Sequence, residues 1–194
     1  MSQNNANLDR AVTVEKFRAY RSQKLEKIAK AIAKTGISAN HLTFLSLCSG
    51  IAAIYFLFND YYLFALFALL HLVFDGLDGV VARLTAPTLA GKYFDLISDS
   101  LVTFLVLVKV AWLLQDFYAY LAAGVFLFAL LLHLRSRLQA PMVFMRTVSV
   151  IVLIIATNYL FPFQNPILTA GYLVAGGVSL YSLSRQLQWY MRKR

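Results

Sequence analysis

The sequence has a single cysteine, Cys48, and only nine acidic residues among 194. One cysteine excludes a disulfide within the chain and a cysteine-ligated metal cluster. Charged residues of both signs make up just 14% of the chain, whereas 60% is hydrophobic, and this composition excludes the ordinary soluble class. The sequence also lacks an internal repeat, a low-complexity tract and a linker. It therefore indicates one compact unit that belongs in a membrane.

Long apolar runs are what the chain has in abundance. Runs of about 18 residues or more are typical of membrane spans, and they should be helical because hydrocarbon cannot satisfy exposed backbone polar groups. We predict an all-α integral membrane protein with a six-transmembrane-helix bundle. The predicted spans are residues 41–58, 61–83, 94–114, 117–134, 147–163 and 167–183.

Basic residues alternate between the two ends of this bundle. Lys and Arg precede the first span, lie between the second and third and between the fourth and fifth, and follow the sixth, whereas the opposite connections have none. The positive-inside rule then places both termini in the cytosol. We expect three parts: residues 1–40 as a tail with a juxtamembrane helix, 41–185 as the transmembrane catalytic domain, and 186–194 as a basic cytosolic tail.

The segment before the first span has the pattern of an amphipathic interfacial helix. Apolar residues recur every three or four positions among Lys and Arg, as is typical of a helix lying on an anionic leaflet. The net charge of +9 is explained by these membrane-flanking positions. We therefore expect membrane lipids, and no nucleic acid, as partners. The apolar positions are Val14, Phe17, Leu25, Ile28 and Ile32.

Four of the nine acids fall within residues 75–99, at the cytosolic ends of the second and third spans. Asp75 and Asp78 are three residues apart and Asp95 and Asp99 are four apart, so each pair shares a helical face. A short connection makes the two spans a hairpin, which brings both pairs to the same end. Converging carboxylates repel each other unless divalent cations bind. Oxygen ligands favour Mg²⁺, Mn²⁺ or Ca²⁺ over zinc.

The residues between these acids suit a phosphate-containing substrate. Gly76, Gly79, Ala82 and Gly91 remove side-chain bulk where a ligand must approach the backbone. Arg83 offers a planar fork of donors that matches a diphosphate. The acids and their neighbours together predict a phosphate-ester substrate that is bound through divalent ions.

This arrangement resembles the signature of the CDP-alcohol phosphatidyltransferases. The connection between Arg83 and Gly91 has seven residues, where the family usually has eight. The stretch "ANHLT" is similar to the family's Pro-Asn-x-Leu-Thr entry to the first span, with Ala39 in place of the proline. The matching pattern is Asp75-x2-Asp78-Gly79-x2-Ala82-Arg83 followed by Gly91-x3-Asp95-x3-Asp99.

The resemblance implies a reaction and a role for each matching residue. Family members displace CMP from a CDP-linked lipid such as CDP-diacylglycerol with an alcohol hydroxyl, which gives a phospholipid. They act as multi-pass enzymes, often as homodimers, and a prokaryotic plasma membrane is the expected location. The resemblance implies Mg²⁺ or Mn²⁺, two ions in all, and Asp99 as general base. It implies metal ligands at Asp75, Asp78, Asp95 and Asp99, and nucleotide contacts at Asn40, Thr43, Gly79, Ala82, Arg83 and Gly91.

The acceptor alcohol is left open between two classes. Arg135, Arg137 and Arg146, near the cytosolic ends of the fourth and fifth spans, resemble the basic positions with which some members bind a phosphorylated polyol such as glycerol 3-phosphate or inositol phosphate. Basic residues at cytosolic span ends are also ordinary topology signals. The stretch "FDLISDSLVTF" resembles members that use serine or an amino alcohol instead.

Two other functions use acidic helices in a membrane. An intramembrane prenyltransferase also binds magnesium diphosphate, but its two Asp-rich motifs are well separated in sequence. A cation transporter would place acids near mid-membrane or on several helices, and it leaves Arg83 and the small residues unexplained. Both are alternatives to the transferase.

Overall fold

The computed structural model describes residues 26–85, 88–143, 146–158 and 164–193. In these ranges the chain is helical with short turns and contains no strand. Residues 26–34 form the described part of helix α1. The other helices are α2 (Ala39–Phe56), α3 (Tyr61–Leu84), α4 (Leu89–Leu114), α5 (Phe117–Arg135), α6 (Arg146–Ala156) and α7 (Gln164–Lys193).

Five of the described helices are long and apolar enough to cross a membrane: α2, α3, α4, α5 and α7. The chain is thus a multi-pass, all-helical integral membrane protein. Helix α6 has 11 residues, and the rest of the span predicted over 147–163 includes positions outside the described residues. The sixth span stays a prediction. The interfacial role of the N-terminal helix also stays one, because Val14, Phe17 and Leu25 lie outside the described ranges.

Polar residues in the turns fix where the helices begin. Ser38 caps α2 in a reciprocal exchange with His41. Asp60 accepts from the Leu63 N–H at 3.0 Å, and Thr88 accepts from the Gly91 N–H at 3.0 Å. Such caps satisfy backbone donors that have no partner within the helix. They place the first turns of α2 and α4 at the same end of the bundle.

The short connections make neighbouring helices antiparallel. α2 begins, α3 ends and α4 begins at one end of the bundle, which we call the site end. The C-terminus of α7 lies there too, because the Lys193 ammonium donates to the side chain of Gln139 in the α5–α6 connection at 2.7 Å. At the opposite end the Asn158 amide donates to the Tyr61 hydroxyl at 3.0 Å.

Small residues pack among larger ones where the helices meet. The main core contains a run of alanines on α4 and α5, with Ala111 and Ala119 fully buried. A Cβ added at Gly176 on α7 would lie 3.1 Å from the Cβ of Ala122 on α5. Helices in lipid associate through close van der Waals packing, which small residues allow. A second apolar cluster joins Ala29 of α1 to α2 and α3 below the site end.

Lys109 connects α4 to the last turn of α2. Its ammonium donates to the carbonyl of Tyr55 at 2.9 Å and also to that of Ile54. These carbonyls lie at the negative end of the α2 dipole and have few partners within the helix. A lysine placed deep in an apolar span therefore stabilises a helix end, and it lies far from the acidic cluster.

Candidate active site

Three of the four aspartates converge across the α3–α4 hairpin. Asp75 of α3 and Asp95 and Asp99 of α4 each offer a carboxylate oxygen, and these oxygens lie within 4.8 Å of one another. All three side chains are partly buried. The helical repeat brings Asp95 and Asp99 to one face of α4, and the antiparallel pairing of α3 and α4 brings that face to Asp75. We call these residues the three-carboxylate cluster.

Asp78 lies beside this cluster and has a hydrogen-bond partner on α2. Its side chain is buried, and Oδ2 accepts a hydrogen bond from the Thr43 hydroxyl of α2 at 2.7 Å. The same hydroxyl lies 3.1 Å from the carbonyl of Ala39. A hydroxyl has one hydrogen, and a carboxylate is the stronger acceptor. Thr43 therefore orients Asp78, which is a role beyond the nucleotide contact predicted for it.

A cavity of about 300 Å³ opens at the site end between α2, α3 and α4. Five of the six residues predicted to contact a nucleotide line it, together with Asp78 and Asp95. Arg83, the sixth, is exposed at the end of α3 and does not line the cavity. The full lining is Ser38, Ala39, Asn40, Thr43, Asp78, Gly79, Ala82, Thr85, Thr88, Gly91, Lys92 and Asp95.

A side chain at Gly91 would make tight contacts with its neighbours. A Cβ at this position would lie 3.0 Å from Oδ1 of Asn40 and 3.0 Å from the hydroxyl of Thr88. Asn40, at the start of α2, thus meets the start of α4 across this glycine. Gly76 is different, because no atom lies within 4 Å of the Cβ that could be added there.

Two helix N-termini border the cavity. Ser38, Ala39 and Asn40 are the cap and first turn of α2, and Thr88 caps α4. The first N–H groups of a helix carry partial positive charge and bind phosphate well. Lys92 adds a formal positive charge. Lys92 is the basic residue between the second and third predicted spans, where it was interpreted only as a topology signal, although its position directly after the signature glycine also pointed to the site.

Two of the three arginines predicted to bind an acceptor, Arg135 and Arg137, lie outside this cavity. Arg135 ends α5 and Arg137 follows it, and both side chains are exposed. Arg146 begins α6, and its side chain is outside the described part of the structure. The structure places these residues at the site end without bringing Arg135 or Arg137 into the lining.

Arg137 occupies a conformation that usually requires glycine. Its φ angle is 54°, and the next residue, Leu138, has φ of 64°. The N–H of Leu138 donates to the carbonyl of His133 at 3.1 Å, and that of Arg137 to Leu134 at 3.0 Å. These bonds form a Schellman cap with arginine at the position where glycine is favoured. The left-handed conformation costs an arginine roughly 1–2 kcal/mol.

The three-carboxylate cluster fits a hard divalent cation. It offers only oxygen donors, and their separation permits a shared ion. Without a cation, three carboxylates this close would repel one another in a poorly hydrated site. The donor set therefore agrees with the divalent metal use expected of the family.

Comparison with known proteins identifies the class. A family model described as CDP-alcohol phosphatidyltransferase matches residues 36–191, so the chain belongs to this family. The protein is therefore a transferase of phospholipid synthesis. No curated protein matches the sequence significantly.

Solved structures with the same fold come from Mycobacterium tuberculosis. Its phosphatidylinositol phosphate synthase with CDP-DAG bound gives a TM-score of 0.65 at 18% identity, covering 84% of this chain and 90% of that one. The complex of that enzyme with manganese and citrate gives 0.60 at 19% identity, covering 84% and 86%. The apo form gives 0.60 at 20% identity, covering 84% and 93%. At this identity the likeness shows the fold alone.

Proposed function

We propose that the protein transfers a phosphatidyl group from a CDP-linked lipid, such as CDP-diacylglycerol, to an alcohol acceptor and releases CMP. One observation carries this proposal: the cavity lined by the signature residues adjoins the three-carboxylate cluster, and Asp95 belongs to both. The mycobacterial enzyme of the same fold was solved with CDP-DAG, which supports this lipid class as the donor.

The cavity suits the diphosphate of such a donor. Helix N-termini and Lys92 supply positive charge at one side, and the absence of a side chain at Gly91 leaves space between α2 and α4. Asn40, in the first turn of α2, offers an amide for base or ribose contacts. Arg83 is exposed at the end of α3 and does not line the cavity, and we assign it a contact with a phosphate oxygen of the bound donor at the cavity mouth.

Asp75, Asp95 and Asp99 would hold the metal, with Asp78 beside them and oriented by Thr43. Four carboxylates carry the charge that two divalent ions balance, and Mg²⁺ or Mn²⁺ are the proposed ions; the manganese complex of the mycobacterial enzyme supports this choice. When bound, such ions would stabilise the negative charge that develops as CMP leaves. Asp99 acts as the base and takes the proton of the acceptor hydroxyl. The oxygen of that hydroxyl attacks the lipid-bearing phosphorus, and CMP leaves.

A phosphorylated polyol is the proposed acceptor class. Arg135 and Arg137 present exposed guanidinium groups at the site end, and Arg137 does so from a conformation that costs stability. Local strain of this kind is retained where a side chain serves a purpose. The excess of basic residues at this end supports a cytosolic active site, and cytosolic termini, in a prokaryotic plasma membrane.

The proposal is tested with purified protein in detergent. CMP release is measured with CDP-diacylglycerol, Mn²⁺ or Mg²⁺, and a panel of glycerol 3-phosphate, inositol phosphate, serine and amino alcohols, with the lipid product identified by mass spectrometry. We expect CMP release that requires both the metal and one acceptor. Product formation with serine or an amino alcohol would overturn the acceptor class.

Asp95→Asn is expected to abolish CMP release. Its matched control is Asp60→Asn, which changes an acid that caps α3 at the opposite end, because asparagine caps a helix as well as aspartate does. Cation flux in liposomes without CMP release would favour the transporter. Consumption of a prenyl diphosphate would favour the prenyltransferase.

A further inference from the structure

A buried polar contact joins α2 to α3 below the carboxylates. His71 of α3 is 1% exposed, and its Nδ1 lies 2.8 Å from the hydroxyl and 3.0 Å from the carbonyl of Ser46 on α2. The Ser46 hydroxyl in turn donates to the His71 carbonyl at 3.0 Å. With the proton on Nδ1, each side chain donates to the other residue's backbone. Such a reciprocal pair fixes the axial position of one helix against the other.

Gly50 brings α4 into the same place. It lies one turn after Ser46, and an added Cβ would be 2.6 Å from Cγ2 of Val102 on α4 and 3.2 Å from Nδ1 of His71. The first distance is shorter than real Cβ contacts allow, so any side chain at Gly50 must displace Val102 or its helix. Helices α2, α3 and α4 therefore meet in one contact, which we call the three-helix junction: Ser46, Gly50, His71 and Val102.

The junction lies one helical turn from the three-carboxylate cluster on both helices that carry it. His71 precedes Asp75 by four residues on α3, and Val102 follows Asp99 by three on α4. These spacings correspond to about 6 Å along α3 and about 4.5 Å along α4. The cluster depends on an oxygen of α3 lying within 4.8 Å of two oxygens of α4. Asp95 and Asp99 move together with α4, so a lateral shift of α4 at the junction changes their distance to Asp75.

We propose that Ser46, Gly50 and His71 are positioning residues, which hold α3 and α4 at the separation that lets the three carboxylates share a divalent cation. The inference rests on the proposed function, because the cation is the one that the proposed reaction uses. None of the three residues lines the cavity. They act on the metal through Asp75, Asp95 and Asp99. We therefore expect their substitution to change metal affinity more than contacts with the nucleotide.

The test measures Mn²⁺ binding to the purified protein without substrate, from the electron paramagnetic resonance signal of the free ion. Gly50→Ala is expected to weaken Mn²⁺ binding about tenfold, the lower end of the effect seen when outer-shell support of a metal site is lost. The double variant Gly50→Ala with Val102→Ala removes the colliding Cγ atoms and is expected to return most of the affinity. This rescue separates a shifted helix from a general loss of packing.

Gly176→Ala is the matched control, because it introduces a close contact with Ala122 between α5 and α7, away from the carboxylates. It is expected to lower thermal stability while leaving Mn²⁺ affinity unchanged. If Gly50→Ala does not fold, Ser46→Ala decides the matter, since it removes one half of the reciprocal pair without adding volume. We expect Ser46→Ala to weaken Mn²⁺ binding in the same direction.

Mn²⁺ affinity equal to wild type in folded Gly50→Ala and Ser46→Ala protein would overturn the proposal. An equal loss in Gly176→Ala, or no recovery in the double variant, would overturn it as well. The proposed function fails in a different assay: wild-type protein that binds Mn²⁺ but releases no CMP from any CDP-linked lipid would refute the reaction, whereas the junction would still be judged by the binding data.

Discussion

The hydrogen bond from Thr43 to Asp78 offers the sharpest test of the site. Both side chains are about 5% exposed or less, and the oxygens are 2.7 Å apart. Thr43→Val keeps the shape of the side chain and removes the donor. A hydrogen bond to a charged group in a buried position contributes roughly 1.5–3 kcal/mol. If this energy holds Asp78 in its working orientation, its loss lowers kcat/KM about 10- to 100-fold, at 1.4 kcal/mol for each factor of ten.

The assay is CMP release at varied CDP-diacylglycerol and Mn²⁺ concentrations, with thermal unfolding followed in the same detergent. Thr43→Ser is the matched control, because it keeps the hydroxyl and loses only a methyl group. Asp78→Asn and the double variant complete a cycle in which the two changes should not add, since both remove one interaction.

Two results would refute this reasoning. Thr43→Val with wild-type kcat/KM and an unchanged melting temperature would mean that the hydrogen bond contributes nothing measurable. Effects of Thr43→Val and Asp78→Asn that add within about 0.5 kcal/mol would mean that the residues act independently.

Three further predictions concern the base, the cavity and the strained loop. Asp99→Asn should abolish turnover while largely retaining CDP-lipid binding; wild-type rates would rule out Asp99 as the base. Gly91→Ala should raise KM for the CDP-lipid because its Cβ would press on Asn40 and Thr88, and steady-state kinetics that match wild type would contradict the tight fit. Arg137→Gly should relieve the left-handed φ of 54° and raise the melting temperature by a few degrees, while raising KM for a phosphorylated acceptor. Arg135→Ala is the control, because Arg135 lies on regular helix and its replacement relieves no backbone strain. An unchanged melting temperature in Arg137→Gly would contradict the assigned strain.

The helical spacing of the acids predicts two pairs, Asp75 with Asp78 and Asp95 with Asp99, and the assignment of all four as metal ligands stays a prediction. Asp95 and Asp99 do lie together, and Asp75 reaches them across the hairpin. Asp78 instead pairs with Thr43 of another helix. Spacing is a local property of one helix. The partner of a buried carboxylate depends instead on which neighbouring helix packs against it, and a single sequence does not give the distances between helices.

The residues predicted to contact the nucleotide also show what a sequence motif predicts and what depends on packing. Asn40, Thr43, Gly79, Ala82 and Gly91 were named from short motifs, and all line one cavity. Arg83 was named from the same motif and stays at the exposed end of α3. Lys92 and Thr88 also line the cavity, and the motifs did not name them as nucleotide contacts. A motif fixes the order of residues along a helix, but the direction of a long side chain at a helix end is decided by the space around it.

The sequence by itself determined the membrane class, the helical architecture, the family and the end of the bundle at which the acids converge. Hydrophobic length, charge asymmetry and helical period are local and additive features, so they can be identified in the sequence without knowledge of the packing. Only the tertiary structure decided that three carboxylates meet while the fourth is held by Thr43, and that Ser46, Gly50, His71 and Val102 bring three helices together beneath them. Those contacts join positions far apart in the chain, and their distances follow from how small residues let the helices approach.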